Sequence, residues 1–193
     1  YCFIGGVSQI IATFLLLRMF INNNFSVATA YSKTEPIQAA VFAFILFNES
    51  ISLNGVIGIV IGLIGIITIS LKKVELSYAF MNLSVFKGLL SAALFGLSAV
   101  LFRAASHNLN SVDYILSSSF TLLIALIIQT IILTIYIFYK DIKQFSMITS
   151  FLKDSFIVGF FGALASICWF YAMSIQNVAY VRALGQIELI FSL

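Results

Sequence analysis

Apolar residues run along this chain in long stretches, each closed by a short polar break. A helix needs about 20 mostly apolar residues to cross the hydrocarbon of a bilayer. Seven stretches meet or approach that length, at approximately 2–20, 25–47, 51–71, 85–106, 113–139, 155–173 and 178–193. Asn22 to Asn24 close the first, and Asn48, Glu49 and Ser50 the second. Residues 72–84, opening on Lys72 and Lys73, part the third from the fourth, and residues 106–111 part the fourth from the fifth. The longest break, Lys140 to Lys153, sets Ile142, Phe145, Met147, Ile148, Phe151 and Leu152 among its lysines. That pattern predicts a segment lying along the membrane interface. The first run is already under way at Tyr1 and the last is cut at Leu193, so the chain reads as part of a longer protein with helices missing on both sides.

Composition agrees with spans rather than a buried soluble core. The chain of 193 residues is 62% hydrophobic and 9% charged, with a mean hydropathy of +1.12. Soluble domains carry about 25% charged residues, so a water-facing surface is excluded. A single proline and abundant Phe, Ile and Leu exclude disorder. A net charge of +3 spread over short loops gives no nucleic-acid footprint. Cys2 and Cys168 both lie inside apolar runs and read as packing residues.

Small residues predict how the helices pack. Gly55, Gly58, Gly62 and Gly65 recur at helical spacing on the third run, and Gly88, Ala92, Gly96 and Ala99 on the fourth. Lipid supplies no hydrophobic drive for helix association, so such faces serve close backbone approach.

Sliding residues 6–40 against 159–193 without a gap pairs Gly6 with Gly159, Ala12 with Ala165, Asn24 with Asn177, Ala30 with Ala183, Glu35 with Glu188, and Ile37 with Ile190. The two glutamates are rare carboxylates within apolar runs, and they sit five helices apart. Five spans per unit put two copies in opposite membrane orientations, an inverted repeat.

The most informative polar interruption is Tyr31-Ser-Lys-Thr-Glu-Pro36, matched later by Arg182, Gln186 and Glu188. Ionisable groups at membrane depth are costly unless they face protein, water or a ligand. Pro36 lacks an amide hydrogen and clashes with the carbonyl of Ser32, predicting a kink or opening, and Glu35 precedes it. This is either a site for a cation or amine, or a kink with Glu35 ion-paired for assembly. On a continuous helix Tyr31, Glu35 and Gln38 share one face, with Thr29 and Lys33 nearly opposite. The repeat puts Arg182 and Gln186 where Thr29 and Lys33 fall. Polar groups on two sides predict a central helix. Arg182 offers a planar fork of donors for a carboxylate or phosphate, or else pairs with a glutamate. Trp169 and Tyr171 read as packing or lipid-facing residues rather than cavity walls. Asn24 and Asn177 read as helix N-caps, Glu49 as a loop residue, and His107 as a solvated loop residue.

Residues 25–71 resemble the second half of an EamA domain. The likeness rests on Phe25 to Ala30, Glu35-Pro36, Ala39-Ala40, Leu46 to Ser52, and the glycines from Gly55 to Gly65. Residues 85–106 resemble the start of another such domain and 159–193 its middle. The whole resembles the drug/metabolite transporter superfamily. That resemblance implies an all-α, polytopic transmembrane helix bundle, part of a ten-helix inverted-repeat (5+5) transporter fold. The chain would then hold the third to ninth helices. Residues 1–73 would end the first repeat, 74–84 link the two, and 85–193 begin the second. Leu189 stands where Pro36 would recur, so the kink is not expected to repeat.

The resemblance implies a secondary transporter, an exporter-type permease of small metabolites in the bacterial cytoplasmic membrane. Its substrate-binding residues would be Tyr31, Lys33, Glu35, Arg182, Gln186 and Glu188, with Pro36 as hinge. Mixed charges suit an amino-acid-like or zwitterionic solute, and the carboxylates suit a coupling proton or cation. Enzyme and phosphate-loop signatures are absent, and no cofactor is expected. The rival expectation is a non-transporting assembly or sensor protein whose buried charges fix helix register. Orientation stays open. Lys72, Lys73, Lys140, Lys143 and Lys153 share one side, which the positive-inside rule places in the cytoplasm, whereas the superfamily topology places it outside.

Overall fold

The computed structural model describes residues 1–22, 31–71, 83–109, 113–140 and 142–188. Eight helices form there: α1 (Cys2–Asn22), α2 (Glu35–Phe47), α3 (Leu53–Leu71), α4 (Leu83–His107), α5 (Tyr114–Lys140), α6 (Lys143–Ser150), α7 (Leu152–Ile175) and α8 (Val178–Gly185). The described residues include no strand. Cys2–Ile21, Val85–His107, Tyr114–Lys140 and Leu152–Ile175 are long and apolar enough to cross a membrane, with Glu35–Phe47 and Leu53–Gly65 shorter apolar helices.

Helix α4 is the hub, packing against α1, α2, α5, α7 and α8. Its small residues make this work. Ser91, Ala92, Ser98 and Ala99 are buried, and Ser91 Oγ donates to the Ala12 carbonyl of α1 at 2.8 Å. At Gly96 a Cβ would lie 3.0 Å from the Ala39 nitrogen, so α2 crosses at backbone contact. The stripe expected on the fourth run is therefore an interface. Among the described residues the one expected on the third is met at Gly55 alone. Gly58, Gly62 and Gly65 meet no described atom within 4 Å, and of that stripe only Gly55 is approached, by the Tyr180 ring of α8.

The core joins Ala39 and Ala43 of α2 to Ala99, Val100 and Phe102 of α4, Leu122 and Ala125 of α5, Phe170 and Met173 of α7, and Val178 of α8. Outer faces keep large apolar residues exposed, such as Phe156, Phe161 and Ile61. Apolar surface on this scale needs a partner, here lipid.

Several expected boundaries move. The run 25–47 is not one helix. Residues 31–32 are helical, Lys33 and Thr34 form a turn, and α2 begins at Glu35. Pro36 falls in the first turn of α2, where its missing amide hydrogen costs nothing. The run 178–193 breaks likewise: α8 ends at Gly185, Gln186 and Ile187 form a turn, and residue 188 is helical again. Offset by 153 in the repeat alignment, the two turns coincide, although the second has no proline. The expectation that the interruption would not recur is thus corrected.

The segment 140–153 contains the short helix α6, and α7 starts at Leu152, earlier than its apolar run. His107 is the last residue of α4, not a loop residue, and its Nε2 lies 2.8 Å from the Ser174 carbonyl. Cys168 is exposed and Cys2 half-buried. Asn24, Thr29, Ala30, Lys72, Lys73, most of the 74–84 linker, Leu189 and Ile190 lie outside the described residues.

Candidate functional site: a charged cavity between two interrupted helices

The breaks at 33–34 and 186–187 meet. Helix α8 starts beside the end of α2, where Asn177 bonds to Glu49, and ends beside its start, where Gln186 Nε2 donates to the Lys33 carbonyl at 2.8 Å. The two aligned segments therefore run antiparallel, as an inverted repeat requires. Lys33 and Gln186 are equivalent in the alignment, so this bond joins one turn to the other.

Between them lies a cavity of about 190 Å³ lined by Lys33, Glu35, Trp169, Arg182, Gly185, Gln186 and Glu188. Its charges pair crosswise between the halves. Lys33 Nζ contacts Glu188 Oε1 at 2.5 Å, and Arg182 Nε lies 3.0 Å from Glu35 Oε1. The second pair is close but poorly aimed, since neither of those two buried atoms completes a hydrogen bond. Distance makes it an ion pair, and direction leaves both atoms short of a partner. Glu188 is 64% exposed, so water screens its attraction to Lys33. The Arg182 guanidinium also stands 5.0 Å from the Trp169 ring centre, within cation–π range. A Cβ on Gly185 would run into the indole, so any larger residue there makes the ring shift.

Five of the six expected site residues thus line one cavity: Lys33, Glu35, Arg182, Gln186 and Glu188. Tyr31 does not. It packs on α4, its Cβ 2.6 Å from where a Cβ on Gly88 would stand. The expected opposition of Lys33 and Glu35 is corrected as well. Helical phase does not carry across a turn, so both side chains reach the same space. Gln38 turns away, donating to Thr34 Oγ1 at 3.0 Å. Trp169, read as packing, is a cavity wall.

A second polar cluster escaped sequence reasoning. Asn48 ends α2 in the left-handed region (φ 54°), its amide donating to the Phe44 carbonyl at 2.9 Å as a left-handed cap, and the Glu49 amide donates to the Ala43 carbonyl at 3.1 Å. That turn aims Glu49 inward. Its Oε1 accepts from Arg103 Nε and its Oε2 from Asn177 Nδ2, each at 3.0 Å. Asn177 also caps α8, as expected, by accepting from the Ala179 amide at 3.0 Å. The only early signal for this cluster was an arginine inside the fourth apolar run.

Two larger grooves, of about 590 and 580 Å³, lie between α1 and α5 and between α2 and α3. Their walls are mostly apolar, and they lack the convergent charges of the smaller cavity. Among the described residues no group of three or more His, Cys, Asp or Glu could hold a metal ion.

Residues 1–71 match the model of the EamA-like transporter family. No curated protein and no solved structure matches the chain. The family match and the apolar helices together support an integral membrane transporter of small solutes. More particularly, they support an EamA-domain transporter of the drug/metabolite transporter superfamily.

Proposed function

We propose that the chain is the central part of a secondary transporter, an exporter of small zwitterionic or amino-acid-like solutes, working by alternating access. Residues 1–73 end one five-helix repeat, 74–84 link it to the next, and 85–193 begin the second. One observation carries this reading: cations and carboxylates of both halves meet crosswise around one cavity where two helices are interrupted. Interrupted helices at the repeat interface are where secondary transporters hold substrate. A zwitterion fits because its carboxylate can take the Arg182 fork while its ammonium takes Glu35, replacing a pair that is badly aimed. The exposed Lys33–Glu188 pair can open to a coupling proton or cation. The bacterial cytoplasmic membrane is the proposed location.

A structural pair and a solute site respond differently to charge reversal. The double variant Glu35→Arg with Arg182→Glu keeps mutual attraction but inverts the groups a zwitterion meets. In proteoliposomes, the expected result is normal folding with amino-acid exchange lost. Exchange that survives reversal would instead support a membrane assembly or sensor protein whose charges only fix register.

A further inference from the structure

The Glu49 cluster does more than end helices. Arg103 reaches from α4 to the open end of α7, where its Nη1 donates to the carbonyls of Gln176 at 2.7 Å, Ser174 at 3.3 Å, and Met173. A cation at a helix C-terminus satisfies carbonyls that have no partner within the helix. Arg103 is thereby held to the second repeat before it meets Glu49. Glu49 comes from the first repeat, and among the described residues its carboxylate bonds to two residues of the second, Arg103 and Asn177. Beside it, the Ser52 amide donates to the Tyr180 hydroxyl at 3.0 Å, and Ser52 Oγ lies 3.1 Å from the same oxygen. These cross-repeat bonds gather at one end of the bundle, where α2 stops, α3 starts, α4 stops and α8 starts.

We propose that the Glu49–Arg103–Asn177 cluster, with Ser52 and Tyr180, is the lock that closes this face of the bundle over the charged cavity. The proposal rests on the transporter reading above. Its position suits the role. Helices α2 and α8 each run between the cluster and the cavity. The 13 residues of α2 and the 8 of α8 set the two apart by ~12–20 Å at the α-helical rise. Parting Glu49 from α8 separates these helices along the route from this face to the cavity.

Chemistry suits the role too. The contacts are polar and sit at the end of the bundle, with the Arg103 side chain 13% and that of Glu49 30% exposed. Water can replace such bonds as they part, whereas a mid-bundle apolar contact has no substitute. Because Arg103 keeps its α7 carbonyls and Asn177 its cap on α8, only the Glu49 side has to let go. The lysines at 140, 143 and 153 lie at the opposite ends of α5 and α7, so the lock is on the face that lacks them.

The test uses one reporter thiol, Gln186→Cys in the cavity, in a background of Cys2→Ser and Cys168→Ser. A charged, membrane-impermeant maleimide is applied to the lock face of oriented proteoliposomes. Glu49→Ala should label about tenfold faster than the parent, the population shift that ~1.4 kcal/mol of lost contacts produces. An unchanged rate in folded protein would overturn the lock. If Glu49→Ala does not fold, Glu49→Gln, which keeps the side-chain volume and removes the charge, decides instead: labelling from this face should rise severalfold, and an unchanged rate in folded protein overturns the lock equally. Exchange of a radiolabelled amino-acid mixture is measured in parallel vesicles of the protein that keeps Gln186. Altered labelling of the reporter without any exchange by that protein would uphold the lock and count against the transported solute class alone.

Discussion

Arg182 has two side-chain neighbours, and its buried Nε completes a hydrogen bond with neither. The Glu35 carboxylate is near but off line, the Trp169 ring offers its face, and the cavity supplies room for another ligand. Burying a charge is tolerated only when it is paired and hydrogen-bonded, so a poorly aimed pair is a place where an incoming group gains more than it displaces. Trp169 fixes the guanidinium from the other side, and Gly185 gives the indole its seat. Gly185→Ala should therefore push the indole off its seat, destabilising the protein by about 1–3 kcal/mol as overpacked sites do. Thermal unfolding in detergent reads this as a lowered Tm. An unchanged Tm would mean that the indole shifts at no cost and that the seat is not built.

At the scale of elements, the two interrupted helices organise the site, and the second turn forms without a proline. Pro36 stands in the first turn of α2, after the break. The equivalent break at Gln186–Ile187 forms with Leu189 in the aligned position. What the turns share is side-chain traffic between them, Gln186 to the Lys33 carbonyl and each lysine or arginine to the opposite carboxylate. Pro36→Ala should thus leave the turn in place and cost less than about 1 kcal/mol, the scale of proline's effect through the unfolded chain. Denaturation midpoint and the reactivity of Gln186→Cys check this together. A fall of several kcal/mol, or a cavity thiol that becomes unreactive because residues 31–47 have joined into one helix, would show that proline makes the break.

These helices also show which features a one-dimensional pattern carries. Runs of apolar residues gave the spans at α1, α4, α5 and α7 because crossing hydrocarbon leaves no other choice of composition. Matching Glu35 to Glu188 located both breaks because carboxylates in such runs are rare. The faces failed at Lys33 and Glu35, where an assumed continuous helix put a turn's two flanks on opposite sides. Small-residue spacing found a contact at Gly96, whereas Gly58 and Gly62 meet none among the described residues, since spacing shows that a face can be approached, not what approaches it. Arg103 was opaque for another reason: its carboxylate partner lies 54 residues away, in a loop.

As a whole molecule, the bundle ties residues 33–49 to helices α4 and α8 and to Glu188 at two levels, the crosswise ion pairs around the cavity and the Glu49 cluster at one face. Helix α4 is joined to α1 by the Ser91 hydrogen bond and to α2 by the close approach at Gly96. A carrier needs contacts that hold each state and yet are replaceable by solute or water. Polar contacts across the halves have that property, and the apolar core beneath them does not.

The most direct measurement is amino-acid exchange by proteoliposomes of matched protein content, comparing the parent with Glu35→Gln and Arg182→Ala. The account predicts that each variant loses at least about tenfold in exchange, the equivalent of one charge-assisted contact of ~1.4 kcal/mol or more, while both remain folded. Undiminished exchange in both folded variants would contradict it and remove the crossed charges from the transport site.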